Sequence, residues 1–207
     1  MMFRKILATF FLLTCLSFSA QGALITVEKA NASFGSANID LAAYWATLSE
    51  ADISTDMIET ATMLYNGSAN NDTIFKMTIN FYNSVDTLFS LFAGLDAGRG
   101  AEFYVNGNLV SDLNTNIWWG RNWAHSQVVA IEDIYLLANV ANQVVVFWAE
   151  NFNSGGNSFE FTMNGGQRLV LSEQNLPNPV PAPSTIALFG MALVGLSFAR
   201  RNAKCIA

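Results

Sequence analysis

Residues 101–110 read AEFYVNGNLV, and this stretch decides the fold class. Its centre is the pair Asn106-Gly107, which favours a two-residue hairpin turn because both residues tolerate positive φ. Apolar residues alternate with polar or half-polar ones before the pair, and Leu109 and Val110 follow it. Two antiparallel strands joined by a tight turn are therefore predicted at this point of the chain.

The sequence on either side of the hairpin continues in short runs of the same kind. Residues 73–82 alternate with period two across most of their length. Other apolar runs end at Gly, Asn, Asp or Ser, and they occupy residues 85–92, 127–131, 143–149, 158–163 and 168–171. Strands at about ten-residue spacing predict a mainly β protein, an antiparallel β-sandwich or jelly roll.

Residues 24–70 lack so clear a pattern. The stretches 39–48 and 51–65 each read as a short helix or as an irregular strand. We therefore expect a less regular, partly helical N-terminal part of the sandwich.

The first residues of the chain predict a secretory signal peptide. Arg4 and Lys5 precede an apolar run at 6–16, and small residues follow at 17–23. This order of charged, apolar and small residues is typical of a segment that signal peptidase removes, here residues 1–22. The apolar run is shorter than the roughly 20 residues of a spanning helix, which disfavours a permanent anchor.

The last thirty residues predict a short membrane segment. Residues 177–184 form a proline-rich linker, and residues 185–207 form an apolar transmembrane helix with a basic tail. A helix over 186–199 covers only about 21 Å at about 1.5 Å per residue, against a hydrocarbon core of about 30 Å. Basic residues after the run keep its end cytoplasmic and place the preceding domain outside. We expect a transient membrane segment that an enzyme later removes.

This tail resembles the PEP-CTERM sorting signal of Gram-negative bacteria. That family combines a Pro-Glu-Pro motif, a short hydrophobic helix and an arginine-rich end, and an exosortase recognises it. The residues that carry the resemblance are Val180, Pro181, Ala182, Pro183, Ser184, Thr185, Arg200 and Arg201. Ala182 stands where the family has Glu. The resemblance implies processing at the inner membrane and then a place at the cell surface or in the extracellular matrix, often with exopolysaccharide.

The region between the two terminal segments, residues 23–176, has the size of one domain. It contains all sixteen acidic residues of the chain and only five of the ten basic ones, a formal net charge of −11. Such a surface repels phosphate backbones, so nucleic acid is not expected as a partner. Cys15 and Cys205 both lie outside the region, so no disulfide framework is predicted.

Residues 92–163 resemble the protective-antigen-type β-sandwich of bacterial toxins, glycosidases and fungal adhesins. The motifs that carry the resemblance are the turn 95–98, the strand 102–110, Trp118-Trp119, the strand 144–150 that ends in Glu150, and the loop 151–158. The same stretch resembles a PEP-CTERM group named for a Cys-Cys-x-Gly loop, whose cysteines are absent here. The resemblance implies an extracellular β-sandwich.

Adhesin members of that family hold a calcium ion with paired aspartates and a later asparagine, and the ion bridges to sugar hydroxyls. The resemblance therefore implies calcium as the cofactor, at Asp96, Asn151 and Asn153. Leu95 stands in place of the second aspartate. Calcium prefers several oxygen ligands of this kind. The alternative is that Asp96 caps a turn and the asparagines suit left-handed loop geometry.

Three tryptophans lie within six residues, at Trp118, Trp119 and Trp123. Aromatic faces offer a large apolar area, so these side chains are candidates for a platform on which sugar rings stack. The alternative is that they pack the core.

The sequence does not predict an enzyme. His125 is the single histidine, no serine elbow accompanies it, and the ligand pattern of a zinc site is missing. Nothing in the spacing of Glu102, Asp133, Glu150 and Glu160 indicates a catalytic carboxylate pair. We predict adhesion or association with polysaccharide or surface glycan. A secreted glycan-active enzyme with a carboxylate pair, or a structural matrix protein without a ligand, are the alternatives.

Overall fold

The computed structural model describes residues 23–34, 39–66, 72–151 and 155–177, and β-strands dominate them. The predicted signal peptide and the sorting tail lie outside these ranges. The strands are β1 (Leu24–Asn31), β2 (Ser54–Met57), β3 (Thr73–Tyr82), β4 (Thr87–Gly94), β5 (Asp96–Ala97), β6 (Ala101–Val105), β7 (Asn108–Leu113), β8 (Ile117–Trp118), β9 (Val129–Leu136), β10 (Ala141–Glu150), β11 (Ser158–Met163) and β12 (Leu169–Val170).

These strands form two main antiparallel sheets. The larger has the order β2-β1-β3-β10-β6-β7, the smaller has the order β12-β11-β4-β9, and β5 and β8 form a separate two-stranded ribbon. One core cluster draws buried side chains from both sheets, among them Ile25, Phe75 and Phe161. The predicted mainly β class and antiparallel sandwich are therefore confirmed.

Aromatic rings fill the centre of this core. Trp148 of β10 is fully buried and stacks on Phe75 of β3, with ring centroids 4.9 Å apart and an interplanar angle of 11°. It also meets Phe159 of β11 at 5.7 Å, so one indole contacts both sheets. Stacked and tilted ring pairs of this kind add stability beyond the area they bury.

The hairpin predicted from Asn106-Gly107 joins β6 to β7. Asn106 has φ +49 and Gly107 has φ +81, which are the positive values that the turn requires. The two strands pair from Val105↔Asn108 onward. The prediction at this turn is confirmed.

The N-terminal part contains one long strand and little helix. β1 lies between β2 and β3 in the larger sheet, with Ile25 and Val27 fully buried. In the described stretches of this part, the helical residues are a short helix, α1 (Leu41–Trp45), and a 3-10 turn (Glu50–Asp52). The partly helical character is confirmed, whereas the sequence pattern did not resolve β1. No helix among the described residues has the length and apolar content that would cross a membrane.

A carboxylate from the larger sheet holds the beginning of α1. The Glu102 side chain of β6 is 3% exposed and accepts hydrogen bonds from Leu41 N at 2.5 Å and Ala42 N at 3.1 Å. Its Oε2 also accepts from the Tyr104 hydroxyl at 2.9 Å. Asp40 caps the same helix by accepting from the Ala43 amide at 2.7 Å. Burial, and then the bond to Glu102, raises the pKa of Tyr104 to about 12.

We expect Glu102→Ala to lower the free energy of unfolding by about 2 kcal/mol, because it leaves two helix amides and a phenol without their acceptor. Asp112→Ala is the matched control, since Asp112 is the exposed partner of Glu102 in the β6–β7 ladder. It should change stability by about 0.5 kcal/mol or less. Urea denaturation of both variants measures the difference, and equal losses would show that Glu102 does not hold the helix.

Candidate functional site

Three connections between the larger and the smaller sheet meet at one end of the sandwich, and we call this end the loop end. They are residues 95–100, 114–128 and 151–157, of which 152–154 lie outside the described residues. The ribbon joins the first two through the pairs Asp96↔Trp118 and Ala97↔Ile117. Asp96 N donates to Asn157 Oδ1 at 2.9 Å, which joins the first connection to the third.

Trp119 fixes the longest of these connections to the sandwich. Its side chain is 3% exposed, and its Nε1 donates to the Gly156 carbonyl at 3.0 Å. Its backbone amide donates to the Leu95 carbonyl at 3.1 Å. The indole lies so close to Gly94 that a Cβ on that residue would overlap the ring. Trp119 is therefore an anchor of the loop end, and its faces are covered.

Trp118, the residue before Trp119 in the chain, faces the other way. It is 55% exposed, and its indole meets the His125 ring edge-on at 5.6 Å. The far edge of the indole lies over Gly120, where an added Cβ would stand 3.3 Å from the ring. Gly120 has φ +62, so the turn brings its backbone under the indole. Trp118 presents an aromatic surface to solvent.

Trp123 occupies an intermediate position. Its ring is half-buried and lies 4.8 Å from the Trp119 ring. The Arg168 guanidinium lies 5.0 Å from Trp123 and 3.6 Å from Phe92. The three predicted tryptophans thus share one connection, and they differ sharply in how much of each ring solvent reaches.

Arg121 links the loop end to a further segment of the chain. Its Nε donates to the Gly155 carbonyl at 2.9 Å, and its Nη2 donates to Asn66 Oδ1 at 2.5 Å. The side chain is exposed, and its backbone has φ +57. The sequence places this residue among the three tryptophans but assigns it no role of its own, because a single arginine in a loop carries no motif.

Asp96, the first predicted calcium ligand, is nearly buried at 9% exposure. Its Oδ2 accepts a hydrogen bond from the Gly155 amide. Burial raises the pKa of the Asp96 carboxyl above its ordinary value, whereas the Gly155 amide and the Arg121 guanidinium act in the opposite direction. Asp96 therefore binds the third connection to the first, as a turn-capping carboxylate does.

Asn151, the second predicted ligand, points its oxygen at the first connection. Its Oδ1 is buried and has no hydrogen-bond partner among the described residues. A Cβ on Gly98 would overlap this atom and would stand 2.8 Å from Oε1 of the buried Glu150. Amide and carboxylate oxygens thus converge where Gly98 leaves space. The third predicted ligand, Asn153, lies outside the described residues.

The remaining acidic residues have separate surroundings. Glu160 Oε2 lies 3.1 Å from Arg168 Nε. Asp133 has φ +56 and lies on β9, where the pairing with β4 shifts register at a β-bulge. Glu102 borders a cavity of about 140 Å³ beside α1, where its oxygens already accept from the helix amides and Tyr104. Among the described residues, no three His, Cys, Asp or Glu side chains are grouped so that they could hold a metal ion.

Comparison with protein families identifies the tail. The family model described as the PEP-CTERM protein-sorting motif matches residues 179–201. The predicted sorting signal is therefore confirmed, and a signal of this kind marks an exported protein. No curated protein sequence matches the chain at a significant level.

Comparison with solved structures identifies the fold of the sandwich. A PA14 sugar-binding domain from an RTX adhesin has a TM-score of 0.51 at 13% identity, over 76% of this chain and 99% of that one. An anti-sigma factor domain-containing protein has a TM-score of 0.51 at 12% identity, over 79% of this chain and 50% of that one. Another, from Clostridium clariflavum, has a TM-score of 0.50 at 13% identity, over 78% of this chain and 48% of that one.

This chain therefore spans about half the length of the two anti-sigma factor domain-containing proteins. It spans nearly all of the PA14 domain. At such low identity the likeness shows the fold alone. The fold is that of the PA14 β-sandwich, as the resemblance of residues 92–163 predicts.

We expect Trp119→Phe to lower the free energy of unfolding by about 1–2 kcal/mol, because it keeps a buried ring but removes the hydrogen bond from the indole to the Gly156 carbonyl. Trp118→Phe makes the same chemical change at an exposed ring and should cost about 0.5 kcal/mol or less. Thermal denaturation followed by circular dichroism measures both. A larger loss for Trp118→Phe would contradict the assignment of Trp119 as the anchor.

Proposed function

We propose that this chain is an exported cell-surface or extracellular-matrix protein whose β-sandwich binds carbohydrate at the loop end. The binding serves adhesion or association with polysaccharide. The observation that carries the proposal is the exposed indole of Trp118 on a connection that Trp119 holds in place. A sugar ring stacks on an aromatic face, and a fixed face loses little conformational entropy when it binds.

A calcium ion at Asp96 and Asn151 completes the proposed site. Asn151 Oδ1 is a buried oxygen without a hydrogen-bond partner in the described part of the chain, which fits a cation ligand. Asp96 commits Oδ2 to the Gly155 amide and has a second carboxylate oxygen to offer. Calcium accepts carboxylate and amide oxygens together and often completes its shell with water or ligand hydroxyls. In this proposal the ion would orient sugar hydroxyls beside Trp118.

The tail serves export in the same proposal. Signal peptidase removes residues 1–22, and the apolar segment then holds the chain in the inner membrane. An exosortase cleaves near the motif at Val180–Thr185 and releases the sandwich to the cell surface or the matrix. The family match at residues 179–201 supports this route.

A glycan array tests the carbohydrate proposal, with the purified full-length chain applied in calcium and in excess chelator. We expect binding that the chelator reduces at least tenfold, because loss of the ion removes the contacts to hydroxyls. Asp96→Asn should reproduce much of this loss in calcium, since an amide keeps the shape and the bond to Gly155 but lacks the charge. Asp112→Asn, an exposed carboxylate on β7, is the control and should bind as the unmodified chain does.

Three results on the array would contradict parts of the proposal. Binding that the chelator and Asp96→Asn leave unchanged would remove the calcium ion and keep the carbohydrate site. Turnover of a bound glycan would indicate a glycan-active enzyme. Absence of binding to any glycan in calcium would indicate a structural matrix protein without a ligand.

Cell fractionation tests the sorting proposal. We expect replacement of Ser184–Arg201 by a neutral linker to abolish tail cleavage and change the location of the protein, because the recognised segment is gone. Replacement of the proline-rich stretch 177–179 by a Gly/Ser linker is the control and should leave processing intact. Unchanged cleavage and location after the first replacement would exclude the tail from sorting.

A further inference from the structure

We infer that the loop end selects acidic saccharides and that Arg121 binds their carboxylate group beside Trp118. This inference rests on the proposed function, because it names the ligand class of the same site. It does not depend on a bound calcium ion.

Arg121 has donors to spare after it has joined the loops together. A guanidinium carries five N–H bonds. One on Nε goes to the Gly155 carbonyl and one on Nη2 goes to Asn66, which leaves both N–H bonds of Nη1 and one of Nη2. The side chain is exposed, so these donors can reach a ligand. Paired N–H bonds of this kind match a carboxylate in a bidentate arrangement.

The two hydrogen bonds also fix the guanidinium before a ligand arrives. An arginine on a protein surface loses rotamer freedom when it is ordered, and this loss opposes binding. Here the Gly155 carbonyl and Asn66 have already restrained the side chain. A carboxylate that reaches Arg121 therefore meets a donor group already in place.

No ion pair among the described residues neutralises the charge of Arg121. The two ion pairs among the described residues join Lys76 to Glu28 at 2.6 Å and Arg168 to Glu160 at 3.1 Å. The Arg121 charge acts to lower the pKa of Asp96, but that carboxylate is nearly buried and accepts a hydrogen bond from the Gly155 amide. An exposed cation on an otherwise acidic domain provides local attraction for a carboxylate.

Asp96 connects Arg121 with Trp118, because it is the ladder partner of Trp118 and Gly155 bonds to both Asp96 and Arg121. The Trp118 indole lies over Gly120, the residue before Arg121. A uronic acid has both features that this pair accepts, an apolar ring face and a carboxylate at the ring edge. A neutral sugar uses the ring face alone. The domain as a whole repels long polyanions, so a short acidic oligosaccharide is the sharper probe.

Titration calorimetry of the full-length chain with trigalacturonate, and with its methyl ester as the uncharged match, tests the inference. We expect the acid to bind at least tenfold more tightly than the ester, because charge-assisted bonds to Arg121 require the carboxylate. Arg121→Gln should lower the affinity for the acid to that for the ester and so erase this preference. Arg121→Lys should keep part of the preference. Lys76→Gln removes the same charge from another surface and should change nothing.

The outcomes separate the inference from the proposed function. Equal affinity for the acid and the ester in the unmodified chain, with glycan binding present, would overturn the inference and keep the carbohydrate site. An equal loss for both ligands in Arg121→Gln would also overturn it, because Arg121 would then act only by holding the loops. Absence of binding to any glycan would remove the proposed function itself.

Discussion

The hydrogen bond from the Trp119 indole to the Gly156 carbonyl is the interaction on which the loop end depends. The ribbon of β5 and β8 has two residues on each strand, which is too short to order a connection of more than ten residues by itself. Trp119 adds a buried ring that packs on Gly94 and a bond that reaches the third connection. Arg121, two residues after Trp119, adds a second bond to the third connection, at the Gly155 carbonyl. The exposed groups of the site are therefore displayed from a fixed frame.

Much of this frame follows from local chemistry that a sequence displays. The pair Asn106-Gly107 tolerates positive φ at both positions, which a two-residue hairpin turn requires. β1 is harder to recognise, although Ile25 and Val27 alternate with half-buried neighbours, because Lys29 and Asn31 weaken the pattern within a few residues. The helix at Leu41–Trp45 is short because its beginning depends on Glu102, sixty-one residues away from Leu41, a contact that no local pattern encodes.

The site was predictable in composition but not in geometry. Successive residues of an extended chain face opposite sides, so Trp118 and Trp119 are expected to have different surroundings, and the sequence does not say which one is exposed. The structure buries Ile117 and Trp119 and leaves Trp118 in solvent. Asp96 and Asn151 fall in two connections that Asn157 and Gly155 bring together, as the family resemblance suggests. Arg121 acts through contacts with Asn66 and Gly155 that only the fold creates.

The proposed site confines ligand contacts to the loop end and leaves the opposite end of the sandwich untouched. Hydrogen exchange of the full-length chain with and without an acidic oligosaccharide measures this directly. We expect slower exchange in Gly94–Gly100 and Trp118–Val128, and unchanged exchange in the hairpin at Val105–Asn108. Protection confined to that hairpin, or to the edge strand β2, would exclude a binding site at the loop end.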